Sequence, residues 1–216
     1  MEILQFAGSE TAWEGEVLEL SGSRIVVHFA TGIPADCDTS TVQVLDTDGT
    51  VKAEYTGYDT VYQRLGLTLI LSSDGSVCAP DHTGEELEDV RAEKKAEMSA
   101  ACQSAIHYGV TVDGEHFALT ENAQTNLFAK QVQLAAGATQ AEYHADGQPC
   151  RYFTAEEMTA LITAATAHVT YHTTYCNALN MWIAGAETAE ELDGIYYGAE
   201  VPEAYRSEVL TDLLSA

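Results

Sequence analysis

The sequence predicts an α+β protein: an N-terminal all-β, sandwich-like domain, then an α+β domain with two short hairpins and a long central helix. Three observations predict it. Short runs rich in Val, Ile, Leu, Thr and Tyr alternate with turn clusters up to about residue 79. From Gly109 a hairpin followed by a helix occurs twice. The second of these helices, beginning near Thr154, keeps a helical apolar period as far as Gly185. The expected divisions are a β-sandwich or barrel-like module at 1–79, a hinge and connecting helix at 80–107, and the α+β domain at 108–216.

The expected strands are Glu16 to Leu20, Arg24 to Phe29, Thr41 to Leu45, Val51 to Tyr55 and Leu67 to Ser72. Ser21-Gly22-Ser23, Thr31-Gly32, Asp46 to Gly49 and Ser73-Asp74-Gly75 separate them, and each cluster holds residues that accept turn conformations. Pro80 to Gly84 reads as a hinge. Glu85 to His107 reads as a helix, charged in its first half and apolar from Met98 to Ile106. Lys94 and Glu97 interrupt any heptad, so a solvated connector is expected rather than a coiled coil.

Val110 to Leu119 predicts two strands around Asp113-Gly114, a dipeptide whose residues tolerate positive φ. Thr120 can cap the next helix, Glu121 to Ala136, which ends at Gly137. Ala141 to Phe153 is a second strand pair around Asp146-Gly147, and the two hairpins are expected to join into one small sheet. Thr154 and Glu157 have the spacing at which each side chain satisfies the other's free N–H at a helix start. Met158, Leu161, Ile162, Ala165, Val169, Cys176, Leu179 and Ile183 then form one face of a helix roughly 45 Å long. Thr188 and Glu191 form another capping pair, ahead of short terminal helices at Asp193 to Tyr197 and Pro202 to Leu214.

Nine Lys and Arg stand against 34 Asp and Glu, a net charge of −25. Such a field repels phosphate backbones and anionic bilayers, so neither nucleic acid nor membrane is an expected partner. No apolar run reaches the ~20 residues a membrane helix needs. Met1 to Gln5 has no basic signal-like start, so folding in a cytoplasm-like compartment is expected. The five cysteines are odd in number and lack a C-x-x-C pair, which favours free thiols over a disulfide framework.

The candidate metal ligands are His168, His172 and Cys176, at successive steps of four, with His144 or Cys150 from the preceding hairpin. The segment reads H-V-T-Y-H, without the acid that a zinc hydrolase places between its two His. The preferred reading is therefore structural, with His172 in the buried stripe, and no metal, cofactor or catalytic residue is assigned. A Cys150 or Cys176 nucleophile with His144 or His172 as base is the covalent alternative. An excess of negative charge would hold such a thiol protonated, and no G-x-S-x-G elbow surrounds any serine. Asp46 to Gly49 is a turn, because an EF-hand register would put Val44 and Tyr55 at positions that require acids. No glycine-rich nucleotide loop is present.

Four runs occur in order: AIHYGVTVDGEHFALTENAQTNL, YHADGQPCRYFTAEEM, HTTYCNALNMWI and IYYGAEVPEAYRSEVL. Together they resemble an uncharacterised family found as C-terminal domains in tail and tail-fibre proteins of phages and prophages of gut and other Gram-positive bacteria. The resemblance covers residues 98 to 214 and brings no catalytic residues with it. It implies a structural component of a bacteriophage virion, in the tail tip, baseplate or a fibre, made in the host cytoplasm. The implied partners are other tail or baseplate proteins and further copies of the chain, three copies suiting a fibre. A tail-fibre assembly chaperone is one alternative. A metal-dependent hydrolase using His168, His172 and Cys176 is the other.

Overall fold

The structure is a computed structural model that describes residues 2–20, 23–35, 37–80, 82 and 86–215. Its architecture is α+β, an antiparallel sheet followed by helices and two small hairpins. Packing groups the chain into two units, each assembled from separated pieces: Met1–Ala101 with Ala178–Arg206, and Cys102–Asn177 with Ser207–Ala216. This grouping differs from the sequence divisions at 79/80 and 107/108, because residues 87–101, like Ala178–Arg206, group with the N-terminal strands. Most of the expected hinge, together with Ser21, Gly22 and Glu85, lies outside the described residues.

In the first unit seven strands, β1 (Glu2–Ala7), β2 (Ala12–Glu19), β3 (Arg24–Phe29), β4 (Asp38–Leu45), β5 (Val51–Thr56), β6 (Thr60–Leu65) and β7 (Thr68–Ser72), form one sheet. Its order is β5-β4-β1-β2-β3-β7-β6, with every pairing antiparallel. Alternate residues face one core, Leu4 and Phe6, Ile25, Val27 and Phe29, Val42 and Val44, Leu69 and Leu71, as the two-residue period of a strand requires. The sheet curls far enough for β4 and β6 to touch, although four strands separate them in the order. The sandwich-like expectation thus takes the barrel-like form of a single curved sheet.

Two of these strands escape the sequence reading. β6, TVYQRL, is half-buried along most of its length and shows no clean alternation. β1 begins at the second residue, where no turn signal precedes it.

The helix α1 (Leu87–Tyr108) is exposed along much of its length but also carries a buried stripe that the expectation of a solvated connector did not include. Val90, Met98, Ala101 and Ala105 are buried on one stripe. The charges that break the heptad lie within that packing: the Lys94 side chain is only 10 % exposed, and its ammonium sits 2.9 Å from Glu97. The other Glu97 oxygen accepts the Gly66 N–H at 2.6 Å. Long stems buried beneath paired heads make such residues part of a core.

The close of the first unit is set by backbone approach. Ile33 N–H donates to the Tyr197 carbonyl at 3.0 Å. Gly198 holds φ at +114°, and a Cβ there would lie 2.1 Å from the Ile33 oxygen. Ile195 and Tyr197 are fully buried. The helix α4 (Ala189–Asp193) precedes them, starting four residues earlier than the sequence predicts because the Thr188 hydroxyl caps Glu191 N–H. A 3-10 turn, Glu203–Tyr205, follows.

The second unit holds hairpins β8 (Val110–Val112)/β9 (Glu115–Phe117) and β10 (Gln140–Tyr143)/β11 (Arg151–Thr154), with α2 (Glu121–Ala135), α3 (Ala155–Gly185) to Asn177, and α5 (Glu208–Ser215). Asp113 and Gly114 have φ of 51° and 80°, so both central residues of the first turn are left-handed, as a tight hairpin prefers. The hairpins do not merge into one sheet. Asp146 links them instead: its Oδ2 accepts from Ala118 N–H and lies against His116 Nδ1, each at 2.9 Å, while its own N–H donates to the His116 carbonyl. Strands of three residues offer too few free backbone groups for a further ladder. Phe117, Leu119, Leu127, Ala141, Phe153, Met158 and Leu161 form the core of this unit.

Candidate functional site

The midsection of α3 carries the chemistry the sequence singled out. Helical spacing puts His168 and His172 one turn apart, and their rings meet edge to face with centroids 4.4 Å apart. Tyr171 packs edge-on against His172 at 5.1 Å and stacks on Tyr175 at 5.9 Å. His172 is 5 % exposed.

Helix α1 contacts both residues, His168 through its ring and His172 through its backbone carbonyl. His168 Nε2 lies 2.9 Å from the Ala105 carbonyl and donates to it. The Cys102 thiol donates to the His172 carbonyl at 3.4 Å. Burial pushes the His168 pKa down, against the pull of the Ala105 and Ile106 carbonyls. Burial, with a smaller contribution from His168, lowers His172 to about 4. At neutral pH His172 is therefore a neutral ring inside a packed cluster. Burial likewise raises the Tyr171 hydroxyl.

The other candidates lie apart from this pair. His144 stacks on Tyr143 at 5.8 Å, with Nδ1 3.1 Å from the Ala145 carbonyl, and Cys150 is exposed in the same hairpin. Cys176 is half-buried, a turn beyond His172. Among the described residues no group of three or more His, Cys, Asp or Glu has the arrangement of a metal site. The T-shaped ring contact and the commitment of His168 Nε2 to a carbonyl suit packing. Zinc ligation instead needs nitrogens converging within about 2 Å of one point.

Sequence reasoning misses a recess in the first unit. A hollow of about 260 Å³ is lined by Tyr62, Arg64, Cys78, Lys94, Asp193 and Tyr196. The Arg64 guanidinium lies over the Tyr196 ring at 4.8 Å, and its buried Nε has no hydrogen-bond partner. Asp193 holds His82 Nε2 at 3.1 Å from both carboxylate oxygens. Three distant segments bring these groups together, so no local motif announces them.

The fold and its sites define an α+β chain of two packed units whose most distinctive side chains are built into a helix–helix contact. Residues 89–196, half of the 216-residue chain, match the family described as a domain of unknown function (DUF4376), and the chain belongs to that family. No curated protein and no solved structure matches the chain. Among the described residues no helix is long and apolar enough to cross a membrane.

Proposed function

We propose that the protein is a structural component of a bacteriophage virion, in the tail tip, baseplate or a fibre, acting through protein–protein contacts. One observation carries the reading: the residues of the four ordered motifs are used to build the fold. Tyr108 to Leu119 makes the first hairpin, and Ala145 to Phe153 supplies the loop and strand of the second. His172 and Tyr175 pack inside the helix cluster, and Tyr197 and Gly198 close on Ile33. A likeness held in such positions supports a contact-making subunit rather than a catalyst. Its proposed partners are other tail or baseplate proteins and further copies of itself, and its place is the particle, after synthesis in the host cytoplasm.

Mass spectrometry of particles purified from the host that encodes this chain tests the proposal. Peptides from both units should co-purify with the particles at a stoichiometry comparable to other tail proteins. A protein abundant in the infected cell but missing from particles would make it an assembly chaperone instead. Stoichiometric zinc in the purified protein would revive the hydrolase reading of His168, His172 and Cys176.

A further inference from the structure

Helix α2 is attached by a narrow edge. Leu127 is its one buried residue, whereas Phe128 is 66 % and Val132 53 % exposed. Beside it α3 exposes Thr159, Thr163, Thr166 and Thr170, with Ala160 and Ala167. The hydroxyls of Thr159, Thr163 and Thr166 donate back to the carbonyls of Ala155, Thr159 and Ile162 at 2.6, 2.8 and 2.7 Å. Their protons are thus already used within the helix. Between the two helices runs a groove of about 230 Å³ lined by Leu127, Phe128, Gln131, Ile162, Ala165 and Val169.

The charge on this face sets it apart. From Met158 to Ala186 the chain has no Asp, Glu, Lys or Arg, and from Asn122 to Ala141 the one charged residue is Lys130, paired with Glu142 at 2.6 Å. In a chain of −25, two copies meet with least repulsion where neither carries acid. A basic partner would instead be drawn to the acid-rich remainder, and an anionic bilayer would be repelled. The face also holds its own complement, an exposed aromatic ring and an apolar groove on the same helix pair. A two-fold axis can then use both at once. The apolar stripe of α1 is not available for this, since Val90, Met98 and Ala101 are buried within their own chain.

We propose that the α2/α3 face is a self-association surface, on which Phe128 of each copy enters the groove between α2 and α3 of a second copy. This names a surface for the self-assembly proposed above. It is tested on the purified chain alone, so its failure and that of the virion reading are separable.

Sedimentation velocity of the full chain from about 1 to 100 µM, where modest interfaces associate, should show species heavier than the 23.3 kDa monomer. Their fraction should rise with concentration and with salt, because screening relieves the repulsion between acidic copies. Phe128→Glu should weaken association at least tenfold. Leu18→Glu, which adds the same charge on β2 at a side chain 56 % exposed, should leave it nearly unchanged. Thr166→Glu provides a second disruption on α3 should Phe128→Glu lower the melting temperature. A chain that stays monomeric throughout, or an assembly weakened equally by the α2/α3 and β2 substitutions or by neither, overturns the proposal.

Discussion

The His168 imidazole meets that of His172 edge-on, with ring centroids 4.4 Å apart and planes inclined by 66°. Both rings have pKa values below the ordinary histidine range, with burial as the main cause. For His172 the folded value is about 4 against 6.5 for the free side chain. Between those values the unfolded chain binds more protons than the folded one, so stability rises with pH across the window and is complete above it. The full span amounts to ~3 kcal/mol. Urea unfolding from pH 7 to pH 4.5 should therefore show a fall in the wild type that His172→Gln reduces. Parallel profiles for the two proteins would remove His172 from the explanation.

Gly198 is a position that does not tolerate a side chain. Its φ of +114° and the 2.1 Å approach to the Ile33 oxygen leave no room for a Cβ. Gly198→Ala should cost ~3 kcal/mol or more, through strain and loss of the Tyr197–Ile33 backbone bond. Gly57→Ala also meets a positive φ, +80°, but in open space, and should cost ~1 kcal/mol. Thermal melts of the two variants decide the matter, and equal shifts would contradict it.

The start of α3 depends on a reciprocal pair. Thr154 N–H donates to Glu157 Oε2 at 2.7 Å, and Glu157 N–H donates to Thr154 Oγ1 at 3.2 Å. Thr154→Ala should cost ~1 kcal/mol at neutral pH. The Thr154 backbone hydrogen bond holds the Glu157 carboxyl below its ordinary 4.5. Its contribution is thus present above that value and lost as pH falls below it. Thr154→Ala keeps the backbone N–H that donates to the carboxylate, so the pH test uses Glu157→Ala. Chemical unfolding at pH 7 and pH 3.5 should show its gap from wild type narrowing in acid.

Asp146 fastens one hairpin to the other by its contacts with His116 and the Ala118 amide. Asp146→Ala removes the one oxygen that makes both contacts and should destabilise by ~1–2 kcal/mol. Asp146→Asn keeps one oxygen and should cost less. Hydrogen exchange at the Ala118 amide is the direct readout: protection should drop in Asp146→Ala before global stability does. An amide equally protected in both proteins would mean that the hairpins are joined some other way.

Local signals were legible in the sequence because their partners lie within a few residues. The capping pairs at Thr154/Glu157 and Thr188/Glu191, the Asp113-Gly114 turn, the extent of α3 and the alternation of β3 and β4 all depend on nearby backbone groups and on side-chain periodicity. The α+β class follows from these alone. Tertiary structure decided what depends on distant partners. Lys94 and Glu97 read as solvated until Gly66 is brought against them. β6 is a strand because β7 pairs with it, not because its own pattern alternates. Spacing alone leaves His168 and His172 open to ligation, with packing preferred, and only the fold brings the Ala105 carbonyl and Cys102 of α1 against them. The charge-free stretch from Met158 to Ala186 was visible in the letters, but only folding set it beside an exposed Phe128. A polar or charged side chain takes its meaning from the group opposite it, and in this chain most of those groups are remote in sequence.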